Sequence, residues 1–222
     1  MTDETQYGSP PITRSRVRML TSTAEDYSME DTQAWLDRGL TEDTVNGFLL
    51  GRVGSPAAGH ERFAGWLSIP YLGNNLLTGE TECWSMRFRY PDGEPPKGVG
   101  KYQTLPGEKS HLFNVRVFDE DPKEIAICEG EINAIVLNQL GIPAIASAGS
   151  NNFKDYYVPL FDGVDTVAVF GDGDEAGHKF NDHICKMLRQ AVPVNMPEGE
   201  DVNSLFLKEG EEAIQALWKR VL

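Results

Sequence analysis

From residue 124 onward the sequence alternates short apolar runs with helical patterns, and this alternation limits the possible folds more than any other feature. Residues 124–128 (EIAIC), 143–147 (PAIAS), 165–170 (DTVAVF) and 192–195 (VPVN) read as strands. Between them, residues 131–140 carry Ile132, Ile135, Val136 and Leu140 at helical spacing, and residues 175–190 place Ala176, Phe180, Ile184 and Leu188 on one face. Residues 152–160 read as helical or irregular, and 201–208 and 211–221 as closing helices. Alternating strands and helices predict a parallel sheet covered on both faces, with right-handed crossovers. Ligands of such sheets gather at the carboxyl ends of the strands.

Acidic residues stand at those ends. Glu129 follows the first strand, Asp172 and Asp174 follow the third in the turn Gly171-Asp-Gly-Asp, and Asp201 comes after the last. Two carboxylates about 4 Å apart repel by roughly 4 kcal/mol at an effective dielectric near 20, and a hard cation reverses that sign. The two glycines let the backbone bend and come close to a phosphate. Taken alone, the Asp-x-Asp turn is equally a solvent-exposed acidic turn. It also loosely matches a dinucleotide fingerprint, Gly171-x-Gly173-x-x-Ala176. Two aspartates would repel a pyrophosphate, however, and the strand comes late in the alternating region.

The first half reads differently. Residues 1–27 form a polar arm with Pro10-Pro11 and Arg14, Arg16 and Arg18. Ser28, with Asp31 three residues on, predicts a helix start, and Thr41 a second one with Glu42 and Asp43 in its first turn. Residues 63–71 and 81–90, rich in aromatic and β-type residues, predict a hairpin in which Arg87 and Arg89 share a face. Those arginines are either a solvated face or a surface for phosphate. A Pro/Gly loop at 91–110 carries Lys97, Lys101 and Lys109, and residues 111–118 predict a short strand. The expected organisation is therefore an arm (1–27), a smaller α+β subdomain (28–118) and an α/β domain with a C-terminal helix (119–222).

The net charge of −14 argues at first sight against a nucleic-acid partner, but it is unevenly spread. Residues 1–116 carry a net −3 and residues 117–222 a net −11, so the acid sits with the carboxylate site. A polyanion could still bind through cations, weakly and with steep salt dependence. Cys83, Cys128 and Cys185 are far apart and form no zinc ribbon, and a reducing, cytoplasmic setting fits them. No membrane span and no secretory leader are expected. His178 and His183 are five apart, off a common helix face, which argues against a zinc pair. Trp35, Trp66 and Trp84 read as core, and Ser147 and Ser150 lack the arrangement of a hydrolase elbow.

Taken together, these stretches resemble the Toprim domain shared by bacterial-type primases, topoisomerases and some nucleases. The stretch ICEGEINA (127–134) is similar to the family's Glu-Gly motif. FGDGDEAGHK (170–179) is similar to its Asp-x-Asp motif, and GEDVNSL (199–205) to its trailing Lys-Asp-x-Asn segment, with Glu200 where Lys is common. The resemblance implies Glu129 as general acid/base or metal ligand and Asp172, Asp174 and Asp201 at a Mg²⁺ (or Mn²⁺) site. Many primases carry Asp where this chain has Asn133. Upstream, residues 31–51, 66–70, 82–89 and 100–114 resemble the bacterial-type primase core in order. By that analogy Arg87, Arg89 and Lys101 face template or nucleotide. The implied fold is a Rossmann-like Toprim sheet preceded by a smaller α+β subdomain. The implied activity is a phage-like DNA primase core, a nucleotidyltransferase of DNA replication. It would act on single-stranded DNA and ribonucleoside triphosphates, beside a replicative helicase, in the (host) cytoplasm. The zinc-binding module and helicase region of many such proteins are not expected here. Alternatives are a Toprim nuclease using the same carboxylates and a non-catalytic DNA-binding accessory protein of the replisome.

Overall fold

The structure, a computed structural model, describes residues 13–91, 93–108, 111–149 and 152–222. The arm residues 1–12, Lys109 and Ser150 lie outside the described residues. The chain divides into two units, one of residues 1–37 and 42–109, the other of 38–41 and 110–222.

The first unit begins with a helix that the polar-arm expectation missed. α1 (Arg14–Ser28) starts at Thr13, whose hydroxyl accepts from the Arg16 amide at 3.3 Å. It buries Val17, Leu20, Ala24 and Tyr27, an i, i+3, i+7, i+10 stripe that three interspersed arginines hide in the sequence. Ser28 closes this helix instead of opening the next, and its hydroxyl donates to the Glu25 carbonyl. The next element is a single turn, α2 (Gln33–Leu36), whose buried Trp35 donates from its indole nitrogen to the Gly51 carbonyl at 3.0 Å. α3 is Glu42–Gly47.

Among the described residues the first unit holds an antiparallel sheet in the order β1 (Gly51–Arg52), β2 (Leu67–Asn74), β3 (Thr81–Arg89), β4 (Tyr102–Thr104). β2 tolerates Pro70 because β1 pairs only as far as Ser68, leaving no ladder bond for Pro70 to lose on that side. Against the sheet, Phe63 stacks on Phe88 with centroids 3.9 Å apart, and Leu20, Ala24, Tyr27, Trp66 and Met86 complete the core. A side chain such as Phe88, fully buried, contributes about 1.5–3 kcal/mol relative to exposure.

The second unit has the expected parallel sheet, in the order β6 (Ala144–Ala146), β5 (Glu124–Cys128), β7 (Thr166–Phe170), β8 (Ala191–Pro193). Its α-helices are α4 (Glu131–Gln139), α5 (Glu175–Met187), α6 (Val202–Glu209) and α7 (Glu211–Lys219). Cys128 pairs in register with both Ala146 and Phe170, so the three strands stop level and their carboxyl ends form one rim. Ile125, Ile127, Ile145, Val167 and Val169 pack against Phe180, Ile184 and Leu188. The strand expected over 111–118 does not form. Asn114 takes a left-handed conformation (φ 61°), which breaks an extended run, and Val115–Glu120 coils into a 3-10 turn. Phe113 keeps a strand-like bridge, to Ala146.

Residues 38–41 are held inside this second unit. The Gln139 side chain donates to the Gly39 carbonyl at 2.9 Å and accepts from the Thr41 amide at 2.8 Å. The Asn203 side chain donates to the Arg38 carbonyl at 2.8 Å. Gly39 has φ +78° and lies so close to the Phe206 ring that a Cβ there would collide with it.

Candidate active site

The level strand ends bring Glu129, Asp172, Asp174 and Asp201 into one acidic region of the second unit. Asp174 is the N-cap of α5, and its Oδ1 accepts from the Gly177 amide at 2.8 Å. Asp201 is the N-cap of α6, in a capping box with Ser204 whose bonds are 2.7 and 2.8 Å. Both carboxylates thus sit at helix amino termini, where the backbone dipoles favour negative charge. Asp172 lies between them without a helix end of its own. Its Oδ1 accepts from the Asn133 side chain at 3.2 Å.

Close backbone approaches hold the Asp-x-Asp turn in place. The Gly173 amide donates to the Glu200 carbonyl and the Gly199 amide to the Gly173 carbonyl, each at 2.7 Å. A Cβ on Gly173 would run into the Pro197 carbonyl, and one on Gly171 into the Gly177 carbonyl. The turn and the segment leading to Asp201 are therefore one backbone assembly. Asn181 adds a further tie, accepting from the Gly171 amide at 2.8 Å.

The electrostatics arise from this crowding. Burial, then the charges of Asp201, Glu129 and Asp174, push the Asp172 carboxyl up to about 7, against a lowering by the Asn133 hydrogen bond. The buried Cys128 thiol is pushed far up by desolvation, then by Asp172 and Asp201. Asp172 feels the three other carboxylates, yet among the described residues no three His, Cys, Asp or Glu side chains close into a coordination cage. Carboxylate oxygens are the donors a hard cation that keeps several waters takes, as Mg²⁺ does, and lack the Cys and His ligands usual for structural zinc. In this respect the donor set fits the ion that the resemblance implies.

The other residues singled out lie in the first unit. Arg87 and Arg89 flank the face of Tyr102, with guanidinium carbons 4.8 and 5.8 Å from its centroid. Arg89 is buried, and its guanidinium donates to the Tyr102 hydroxyl (3.2 Å) and to the Tyr90 (3.3 Å) and Pro91 (2.9 Å) carbonyls. It is a brace of the β3–β4 edge. Arg87 is half-buried and Lys101 exposed. Sequence reasoning missed a buried ion pair in this unit. Arg16 reaches Glu108, whose side chain is 3% exposed and also accepts from the Ser85 hydroxyl. It also missed what Asn133 and Asn203 do, although both positions were noted as motif residues.

A parallel sheet with a Glu after one strand and an Asp-x-Asp turn after its neighbour defines a Toprim domain. The Toprim domain family model matches residues 124–212. The Gene 57 protein of Mycobacterium phage D29 is 36% identical over 152 residues, covering 68% of this chain and 97% of that protein. The DNA primase of Escherichia coli (strain K12) is 30% identical over 122 residues, which is 50% of this chain and 20% of the primase. The chain thus matches about a fifth of the length of that primase. Among solved structures, a DnaG primase catalytic domain bound to single-stranded DNA superposes with a TM-score of 0.68, covering 91% of this chain and 80% of that one. At 20% identity that likeness establishes the fold. The chain belongs to one family with the phage D29 protein and carries a Toprim domain over residues 124–212. DNA primases are RNA polymerases of the nucleotidyltransferase type.

Proposed function

We propose that this chain is a metal-dependent primase core that joins ribonucleotides into short RNA primers on single-stranded DNA during phage DNA replication. The observation that carries the reading is the carboxylate rim: Glu129, Asp172, Asp174 and Asp201 gathered at level strand ends, so crowded that Asp172 is pushed up to about 7. Such crowding is costly without a cation and favourable with one.

Asp172 and Asp174, oriented by Asn133 and by the α5 amino terminus, would hold Mg²⁺ or Mn²⁺, with Asp201 completing the acidic side. The bound cation would supply charge neutralisation at the transferring phosphate in an in-line displacement. Glu129 would accept the proton of the attacking 3′-hydroxyl or serve as a further ligand. In the first unit Arg87 and Lys101 would contact phosphates of template or nucleotide, with Arg89 bracing the edge that carries them. A replicative helicase is the expected working partner and the host cytoplasm the expected site. No helix among the described residues is long and apolar enough to cross a membrane.

The test incubates the protein with single-stranded DNA, ribonucleoside triphosphates and Mg²⁺ or Mn²⁺. Short labelled RNA that disappears in Asp172→Asn supports the reading. Shortened DNA without synthesis would replace it by a nuclease, and DNA binding without either product by an accessory role.

A further inference from the structure

Asn133 is a neutral side chain beside the crowded carboxylate Asp172, and its surroundings show what the amide does. The residue is buried on α4, four positions beyond Glu129, and both ends of its side chain are engaged. Nδ2 donates to Asp172 Oδ1 at 3.2 Å, and Oδ1 accepts the backbone amide of Asn203 at 3.1 Å. Asn203, itself buried, donates from its side chain to the Arg38 carbonyl at 2.8 Å. A continuous chain of hydrogen bonds therefore runs from Asp172 at the end of β7, through α4, to the first turn of α6 two residues beyond Asp201.

We propose that Asn133 is a positioning residue for divalent-cation binding: it fixes the orientation of Asp172, registers the helix that carries Asp201, and keeps the pocket one negative charge lighter than a carboxylate there would. The inference rests on the metal-site reading above. An amide does both jobs without carrying charge, and an ionised carboxylate cannot. A carboxylate at 133 could still accept from the Asn203 amide, but it has no proton for Asp172 Oδ1 and would face it as a like charge. An alanine would release Asp172 and leave the Asn203 amide buried without its acceptor, a costly loss in itself. Residues that orient ligands through one hydrogen bond typically change metal affinity by about 10–100-fold when removed. A ligand carboxylate added to an oxygen site raises affinity by adding charge.

The two substitutions therefore move cation binding in opposite directions, which a merely structural residue would not do. The test titrates the full chain with Mn²⁺ alone, by calorimetry and by the loss of the free-ion paramagnetic resonance signal. Wild type, Asn133→Ala, Asn133→Asp and Asp172→Asn are compared at one pH, with the fold of each checked by circular dichroism in EDTA. Asn133→Ala is expected to bind at least about tenfold more weakly than wild type. Asn133→Asp, which keeps the acceptor for Asn203, is expected to bind more tightly and to show a larger Mn²⁺-induced rise in melting temperature. If Asn133→Ala is poorly folded, Asn133→Leu, close in size and lacking both hydrogen bonds, takes its place in the comparison. Should folded Asn133→Ala bind Mn²⁺ as tightly as wild type while Asp172→Asn abolishes binding, the positioning role is overturned; should Asn133→Asp bind no more tightly than wild type, the charge argument is overturned; in both cases the metal site stands. Should wild type itself bind no Mn²⁺, the metal-site reading falls and this inference with it.

Discussion

In the antiparallel unit, the buried ionisable groups Tyr27, Glu108 and Arg89 meet complementary partners, although the buried Ser68 hydroxyl has no hydrogen-bond partner. The Tyr27 hydroxyl shares a hydrogen bond with His60 Nδ1 at 3.0 Å while accepting from the Ala57 amide at 2.9 Å, Arg16 faces Glu108, and Arg89 faces Tyr102 and two carbonyls. In the parallel unit, Asp172 meets Asp201, Glu129 and Asp174, all of its own sign, and the Asn133 amide is the neighbour that lowers its pKa. Each unit buries polar side chains, but one has resolved its electrostatics internally and the other has left a deficit of positive charge. Under the proposed function, that difference separates a scaffold from a reaction site. The first arrangement is stable in water alone, whereas a bound cation would complete the second.

The sharpest way to break this contrast is at Asp172. Asp172→Asn is expected to lower primer synthesis by at least about a thousandfold, since a lost catalytic metal removes several kcal/mol of charge stabilisation, while raising or preserving the stability of the metal-free protein. A removed carboxylate that destabilised the metal-free fold would mean the deficit is not there. In the other unit the opposite holds. Arg16→Met is expected to cost about 2–3 kcal/mol in urea unfolding, because it leaves the Glu108 carboxylate buried without its cation; the partial exposure of Arg16 keeps the loss below that of a fully buried pair.

A smaller and more diagnostic effect is the pH dependence, which should have opposite signs in the two units. Burial lowers the pKa of His60, so the unfolded chain binds the proton more readily. The stability this group contributes is present above the unfolded value near 6.5 and is lost as the pH falls below it. Asp172 is raised from 3.8 to about 7, so its contribution is present below about pH 4 and is lost as the pH rises through 7 in metal-free protein. Hydrogen exchange read peptide by peptide should show residues 14–89 loosening from pH 7 to 5.5. Residues 124–205 should loosen from pH 6 to 8 in EDTA and tighten again with Mg²⁺. A common sign in both units would remove the contrast.

Legibility in the sequence divides along the same line. The parallel strands are buried on both faces and read as uninterrupted apolar runs, so their carboxyl ends, and with them Glu129, Asp172 and Asp174, could be located by inspection. α1 could not, because Arg14, Arg16 and Arg18 give its first turns a polar look that outweighs the spacing of Val17, Leu20, Ala24 and Tyr27. Residues 115–118 (VRVF) alternate like a strand, and only the left-handed backbone at Asn114 turns them into a 3-10 coil. Asn133 was visible as a departure from the family pattern, but its role was not. Its partners Asp172 and Asn203 are 39 and 70 residues away, and no local periodicity reports contacts of that range.

The four residues 38–41 carry a consequence for how the molecule is made. Gln139 lies 100 residues after Gly39, and Asn203 lies 165 residues after Arg38. At roughly 5–20 residues per second, a ribosome releases this strap on the order of ten to thirty seconds before its last clasp exists. The parallel unit is therefore not completed by its own contiguous stretch of chain alone. It must recover a short piece of polypeptide synthesised long before, from within a segment whose two flanks belong elsewhere. A gene fragment starting at residue 110 would encode every strand of that sheet and still omit the strap, leaving Gln139 and Asn203 reaching for carbonyls that are not there.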